Sequence, residues 1–196
     1  MDKENNKKIV ALCEAVIKWG FYAFAFLAPL FFLPFNANVL ELNKQLLLIV
    51  FCLVLVIAWL GKMIARGKVE MKKSWLNIGL AVFLVAYLLS TVFSKNLYQS
   101  LIGFGNTIAE SFIVLLAFVL VFLTLVNNLK KREELNTLIF ILVCSGLVAG
   151  IFGVFQLAGK FFLPWAFAQS ANFNTIGSVN MLEIFLAGLL VLSAVL

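Results

Sequence analysis

Residues 46–60 read LLLIVFCLVLVIAWL. Taken from Leu42 to Leu60, the segment has the length that an α-helix, rising about 1.5 Å per residue, needs to cross a hydrocarbon core of about 30 Å. Inside a bilayer the backbone N–H and C=O groups find no water, so only helices and closed barrels span it. A barrel strand would alternate lipid-facing and lumen-facing residues, and this run does not alternate. The stretch therefore reads as a membrane-spanning helix.

The same reading extends along the chain. Further apolar segments run from about Trp19 to Phe35, Trp75 to Phe93, Ile108 to Val126 and Leu135 to Leu157, and another begins at Met181. The expected fold is all-α, a polytopic transmembrane helical bundle of about six spans over residues 19–196, after an amino-terminal segment at 1–18. The last run, Met181 to Leu196, is short of the roughly twenty residues a span needs. The chain is accordingly expected to be the amino-terminal portion of a longer polytopic protein, cut within its sixth span. A cleaved signal peptide is the rival reading of the first run, since Ala23-Phe24-Ala25 matches an A-x-A site. The apolar run continues past that site through FLAPLFFLPF, and Lys18 interrupts the supposed core, which argues against cleavage.

Composition agrees with a bilayer. Hydrophobic residues make up 64% and charged residues 12% of the chain, with 21 Phe, against roughly 45–50% and 25% in soluble domains. Cys13, Cys52 and Cys144 are odd in number and widely scattered, so neither a disulfide framework nor a metal cluster is expected. His is absent, which removes the commonest general base and metal ligand. No cofactor, metal site or catalytic residue is expected in these residues.

The connections carry orientation. The amino-terminal segment, the second connection (GKMIARGKVEMKKS) and the fourth (NNLKKREE) together hold twelve Lys and Arg, whereas the first, third and fifth hold only Lys44, Lys95 and Lys160. Basic residues flanking spans stay cytoplasmic, so the amino terminus is expected in the cytoplasm. The net charge of +6 follows from this asymmetry and the anionic inner leaflet, with no need of a nucleic-acid partner.

Two outward connections have a mixed character. SKNLYQSLIGFGNTIAES suits an interfacial or re-entrant stretch. KFFLPWAFAQSANFNTIGSVN carries Phe161, Phe162, Trp165 and Phe167, which fit either an aromatic belt or a groove for the lipid part of an amphipathic substrate. Within it, NTIGSVN is expected to turn the chain and start the next helix, with Ser178 or Asn180 as the cap and Gly177 allowing a positive φ or a close backbone approach. Backbone N–H groups at a helix start also favour an anion, so Asn174, Gly177 and Asn180 are candidate substrate contacts as well as capping residues. Glu183 reads either as an early-turn carboxylate favoured by the helix dipole or as a hydroxyl-binding or proton-accepting group, and Glu110 has the same two readings. Lys44 reads as an interfacial snorkelling lysine or a phosphate ligand. In the fifth run, Gly146, Gly150 and Gly153 are spaced for a close helix–helix seam, within the chain or between copies. Gln156 is placed to hydrogen-bond across that seam or to reach a polar ligand.

LLSTVFSKNLYQSLIGFGN resembles the segment after the third span of the O-antigen ligase and polymerase family, where a serine-bearing LS-x-x-x-S is followed by S-L-x-G. FNTIGSVNMLEIFL resembles the family's G-x-x-G-N-P-N turn, with Gly177, Ser178, Val179 and Asn180 in the four last places, and PFNANVLELNKQLLLI is similar to its first outward turn. The resemblance implies a membrane glycosyltransferase of the bacterial inner membrane. Such a protein moves a glycan from undecaprenyl diphosphate to a glycan, lipid or protein acceptor on the outer face. Family members often carry an arginine before the G-N-P-N turn; here the stretch reads SANFNTIG, without a cation. The diphosphate contacts would then lie downstream or differ in this branch. A noncatalytic polytopic membrane subunit or a transporter fragment is the alternative, although neither an inverted repeat nor a span broken near the membrane midplane is evident.

Overall fold

The computed structural model describes residues 3–34, 40–69, 71–72, 74–103, 110–194 and 196. The protein is 78% helical, with no strand among the described residues. The helices are α1 (Lys3–Leu30), α2 (Glu41–Arg66), α3 (Trp75–Val92), α4 (Leu97–Ile102), α5 (Phe112–Asn128), α6 (Arg132–Leu157) and α7 (Val179–Ser193), with a 3₁₀ turn at Ala166–Ala168. Four of them, α1, α2, α3 and α6, are long and apolar enough to cross a membrane; α5 and α7 are apolar but shorter, at 17 and 15 residues. Their outward faces are apolar, as at Ile64, Trp75, Ile184 and Leu190, which suits lipid surroundings and not water.

The helix limits follow local chemistry. Ser74, Ser111 and Ser178 are extended N-caps whose hydroxyl oxygens accept from Leu76, Val114 and Met181 N–H, satisfying first-turn donors that lack intrahelical partners. α6 closes in a Schellman arrangement: Lys160 N–H donates to Phe155 O and Gly159 N–H to Gln156 O, each at 3.0 Å, with Gly159 at φ 72°. From Lys3 onward the amino-terminal segment is continuous with the first apolar run, because α1 extends unbroken from Lys3 through Leu30. Sequence Ile108 to Ala109, the expected start of the fourth run, lies outside the described residues, and the helix there begins at Phe112. The stretch expected to be interfacial contains the short α4.

Two compact units divide the chain, with boundaries inside α1 and near the start of α2: Met1–Phe21 with Gln45–Lys130, and Tyr22–Lys44 with Lys131–Leu196. In the first, α1 and α2 run antiparallel. Gly20 lies against Leu55, and a Cβ at Gly61 would stand 3.4 Å from Cys13 Sγ. At the far end of α2, Glu14 Oε1 meets Lys62 Nζ at 3.0 Å and Arg66 Nη2 at 2.6 Å, and Lys62 also donates to Asn128 Oδ1 at 2.9 Å. Buried Lys62 is thereby paired on two sides. Asn127 Oδ1 accepts from Lys72 N–H at 2.7 Å, which ties Lys72 to the end of α5, and Asn77 Nδ2 donates to Lys72 O from the start of α3.

In the second unit the small-residue face of α6 meets α7, as its glycine spacing predicts. Gly146, Gly150 and Gly153 face Leu189, Leu186 and Leu182, the reversed order marking antiparallel helices. Ser145 Oγ, fully buried, donates to Phe26 O at 2.7 Å. Pro29 sits one turn on from that carbonyl, where α1 lacks one N–H.

Candidate functional site

Phe173 is the hub of the 158–178 connection. Its ring contacts Phe32 at 6.0 Å, Phe152 at 6.2 Å and Phe167 at 5.5 Å, all steeply inclined, and Trp165 stacks on Phe167 while meeting Phe32 edge-on. Edge-to-face pairs at such separations place the positive ring edge against the negative face. Of the four aromatics expected to form a belt or groove, Trp165 and Phe167 join this cluster and Phe162 pairs with Phe155 at 5.1 Å. The cluster fastens the connection to α6 and to Phe32, just past the end of α1.

The turn that follows is built on Asn174. Its Oδ1 accepts from Ile176 N–H at 2.9 Å and Gly177 N–H at 3.0 Å, so one side chain closes two backbone donors. Gly177 has φ 153°, a conformation that side-chain-bearing residues rarely adopt. Ser178 then caps α7, as the sequence allowed, and Asn180 lies within the helix and not at its cap. The chain direction set by Asn174 and Gly177 leaves the Ile176 carbonyl pointing to α2, where Lys44 Nζ donates to it at 3.2 Å. Asn43, fully buried one residue before, donates to Leu33 O at 2.9 Å and anchors that first turn.

Of the five candidate contacts, Lys44, Asn174 and Gly177 come together although Lys44 is far from the other two in sequence. Asn180 and Glu183 sit exposed in the first turns of α7, and among the described residues no hydrogen bond joins either to Lys44. Three buried residues were not singled out as a group by the sequence. Asn174 Nδ2, Thr175 Oγ1 and both amide atoms of Gln156 have no hydrogen-bond partner among the described residues. A cross-seam bond from Gln156 is therefore not formed. Gln156 lies one helical turn beyond Phe152, whose ring touches Phe173, the neighbour of Asn174. Such atoms cost about 1–3 kcal/mol each when left unpaired, and Asn174 and Thr175 lie in the turn that meets Lys44.

The arrangement can therefore present an ammonium group, an amide donor and a helix start beside an aromatic wall. Among the described residues no group of His, Cys, Asp or Glu is placed to hold a metal ion. No protein-family model, curated protein or solved structure matches this chain.

Proposed function

We propose that the chain is the amino-terminal membrane part of an O-antigen ligase- or polymerase-like glycosyltransferase. In this reading its six apolar segments are spans of the bacterial inner membrane, the amino terminus is cytoplasmic, and the first, third and fifth connections face outward. The donor is a glycan on undecaprenyl diphosphate. An acceptor hydroxyl attacks the anomeric carbon, the bond to the diphosphate breaks, and the hydroxyl proton passes to a base supplied outside these residues. The acceptor is a glycan, a lipid or a protein hydroxyl.

The observation that carries the proposal is the meeting of Lys44 with the Asn174–Gly177 turn at Ile176 O. Both belong to outward segments in the charge-based topology, and both lie in the stretches that resemble the family. Lys44 uses one of its three donors on Ile176, and an ammonium group beside a helix start suits the departing diphosphate. The exposed apolar faces of the helices supply surface for the polyprenyl tail.

The test is turnover of radiolabelled polyprenyl-diphosphate glycan in membranes that carry the intact gene product. Lys44→Ala is expected to lower transfer by roughly tenfold or more, through loss of a charge-assisted contact, and Lys44→Arg to retain most of it. Passage of the label across the membrane without bond exchange, or full activity of Lys44→Ala, overturns the proposal.

A further inference from the structure

The first unit holds a cavity of about 520 Å³ where the end of α3, α4 and the start of α5 meet, within the roughly 300–1,000 Å³ range of small-molecule sites. Every lining residue but Phe93 carries side-chain oxygen: Tyr87, Ser90, Thr91, Ser94, Gln99, Ser100 and Glu110. Three of the hydroxyl hydrogens are committed. Tyr87 O–H donates to Glu110 O, Thr91 O–H donates to Tyr87 O at 2.9 Å, and Ser94 and Ser100 share one hydrogen between oxygens 2.6 Å apart. The cavity is thus lined by hydroxyl lone pairs, the Ser90 hydroxyl, the Gln99 amide and the Glu110 carboxylate, which only accepts when ionised, so acceptors outnumber donors.

An acceptor-rich cavity selects a ligand with several O–H or N–H donors. The lining contains no Lys or Arg, so a phosphate or carboxylate would meet Glu110 without a compensating cation. The apolar part of the wall is Phe93, 84% exposed, and the Tyr87 ring stacks on Phe112 at 6.4 Å. A quaternary ammonium would need an aromatic cage, whereas here Tyr87 and Phe93 are the aromatic lining and the Tyr87 ring already packs on Phe112.

We infer that this cavity binds one neutral sugar ring, its hydroxyls held by the serine, threonine, tyrosine and glutamate oxygens and its C–H face set on Phe93. The site lies in the other compact unit from the Lys44 turn and does not rest on the glycan-transfer reading. A free sugar and the sugar end of a glycolipid present the same chemistry to it.

The experiment is saturation-transfer NMR on the protein in lipid nanodiscs free of glycoside detergent. The probes are glucose, N-acetylglucosamine and octyl β-glucoside, with inorganic phosphate and choline as contrasts. A saturable sugar signal is expected, weakened roughly tenfold by Glu110→Gln, which removes a charge-assisted acceptor while keeping the shape. Ser90→Leu, which fills the cavity from an exposed helix position, is expected to abolish it, with helical circular dichroism showing that the variant folds. Tenfold tighter binding of octyl β-glucoside than of glucose identifies a lipid-linked sugar, and equal binding a free one; either supports the inference. No sugar signal from the unaltered protein, an unchanged signal in folded Ser90→Leu, or saturable binding of choline or phosphate in place of sugar overturns it. Lys44→Ala leaves the signal intact, which keeps failure here distinct from failure of the transfer reading.

Discussion

Leu189 of α7 occupies the space that a Cβ on Gly146 of α6 would need, and Leu182 stands 2.5 Å from the corresponding position on Gly153. The two helices approach this closely because both sites lack a side chain. Gly146→Val should destabilise the protein by about 1–3 kcal/mol through overpacking. Gly150→Ala should be tolerated, since its Cβ would meet Leu186 at 3.4–3.5 Å, an ordinary contact. Thermal unfolding of the two variants in detergent, followed by tryptophan fluorescence, checks the ordering; equal losses would show that the seam is not formed as described.

Asn174 holds its turn through one oxygen, so the choice of replacement separates geometry from charge. Asn174→Ala removes both backbone contacts and should cost about 1–3 kcal/mol. Asn174→Asp keeps an acceptor for Ile176 and Gly177 N–H and should retain more of the stability. Protease sensitivity of the 158–178 connection is the direct readout, with greater cutting expected in the alanine variant.

Gly177→Ala asks for φ 153° from a residue with a Cβ. The expected cost is about 1–3 kcal/mol, although open space surrounds the position and the nearest atom, Met181 Cγ, is 3.9 Å away. Equal unfolding midpoints for Gly177→Ala and the unaltered protein would rule out a strained turn.

Glu14 stands between Lys62 and Arg66, and Lys62 is the buried member. Glu14→Gln should destabilise by about 1 kcal/mol, a value held down by the half-exposed carboxylate and by the Asn128 contact that stays with Lys62. Lys62→Met removes the buried charge together with its need for partners and should be milder than Glu14→Gln combined with Asn128→Ala. Chemical unfolding of the three variants gives the comparison.

Ser145→Ala deletes one hydroxyl that reaches the Phe26 carbonyl. Interhelical hydrogen bonds of this kind average about 0.6 kcal/mol in lipid, so a small loss is expected, with the helical content unchanged.

Apolar runs as long as Leu46 to Leu60 determined by themselves that the protein is helical, because helix formation within one segment satisfies its own backbone. Local spacing was equally sufficient for the small-residue face at Gly146–Gly153 and for a cap at Ser178 or Asn180, while the structure chose Ser178 and gave that face to α7. The meeting of Lys44 with Ile176, the Phe173 aromatic hub and the hydroxyl-lined cavity at Tyr87 and Glu110 were decided only by tertiary structure. Each joins residues from separate stretches of the chain, helices and connections alike, and a helix's sequence period shows which residues share a face without showing what that face meets. Asn180 and Glu183 mark the same limit: helix-start chemistry was legible in them, but their exposed places on α7 follow from how that helix turns its leucines toward α6.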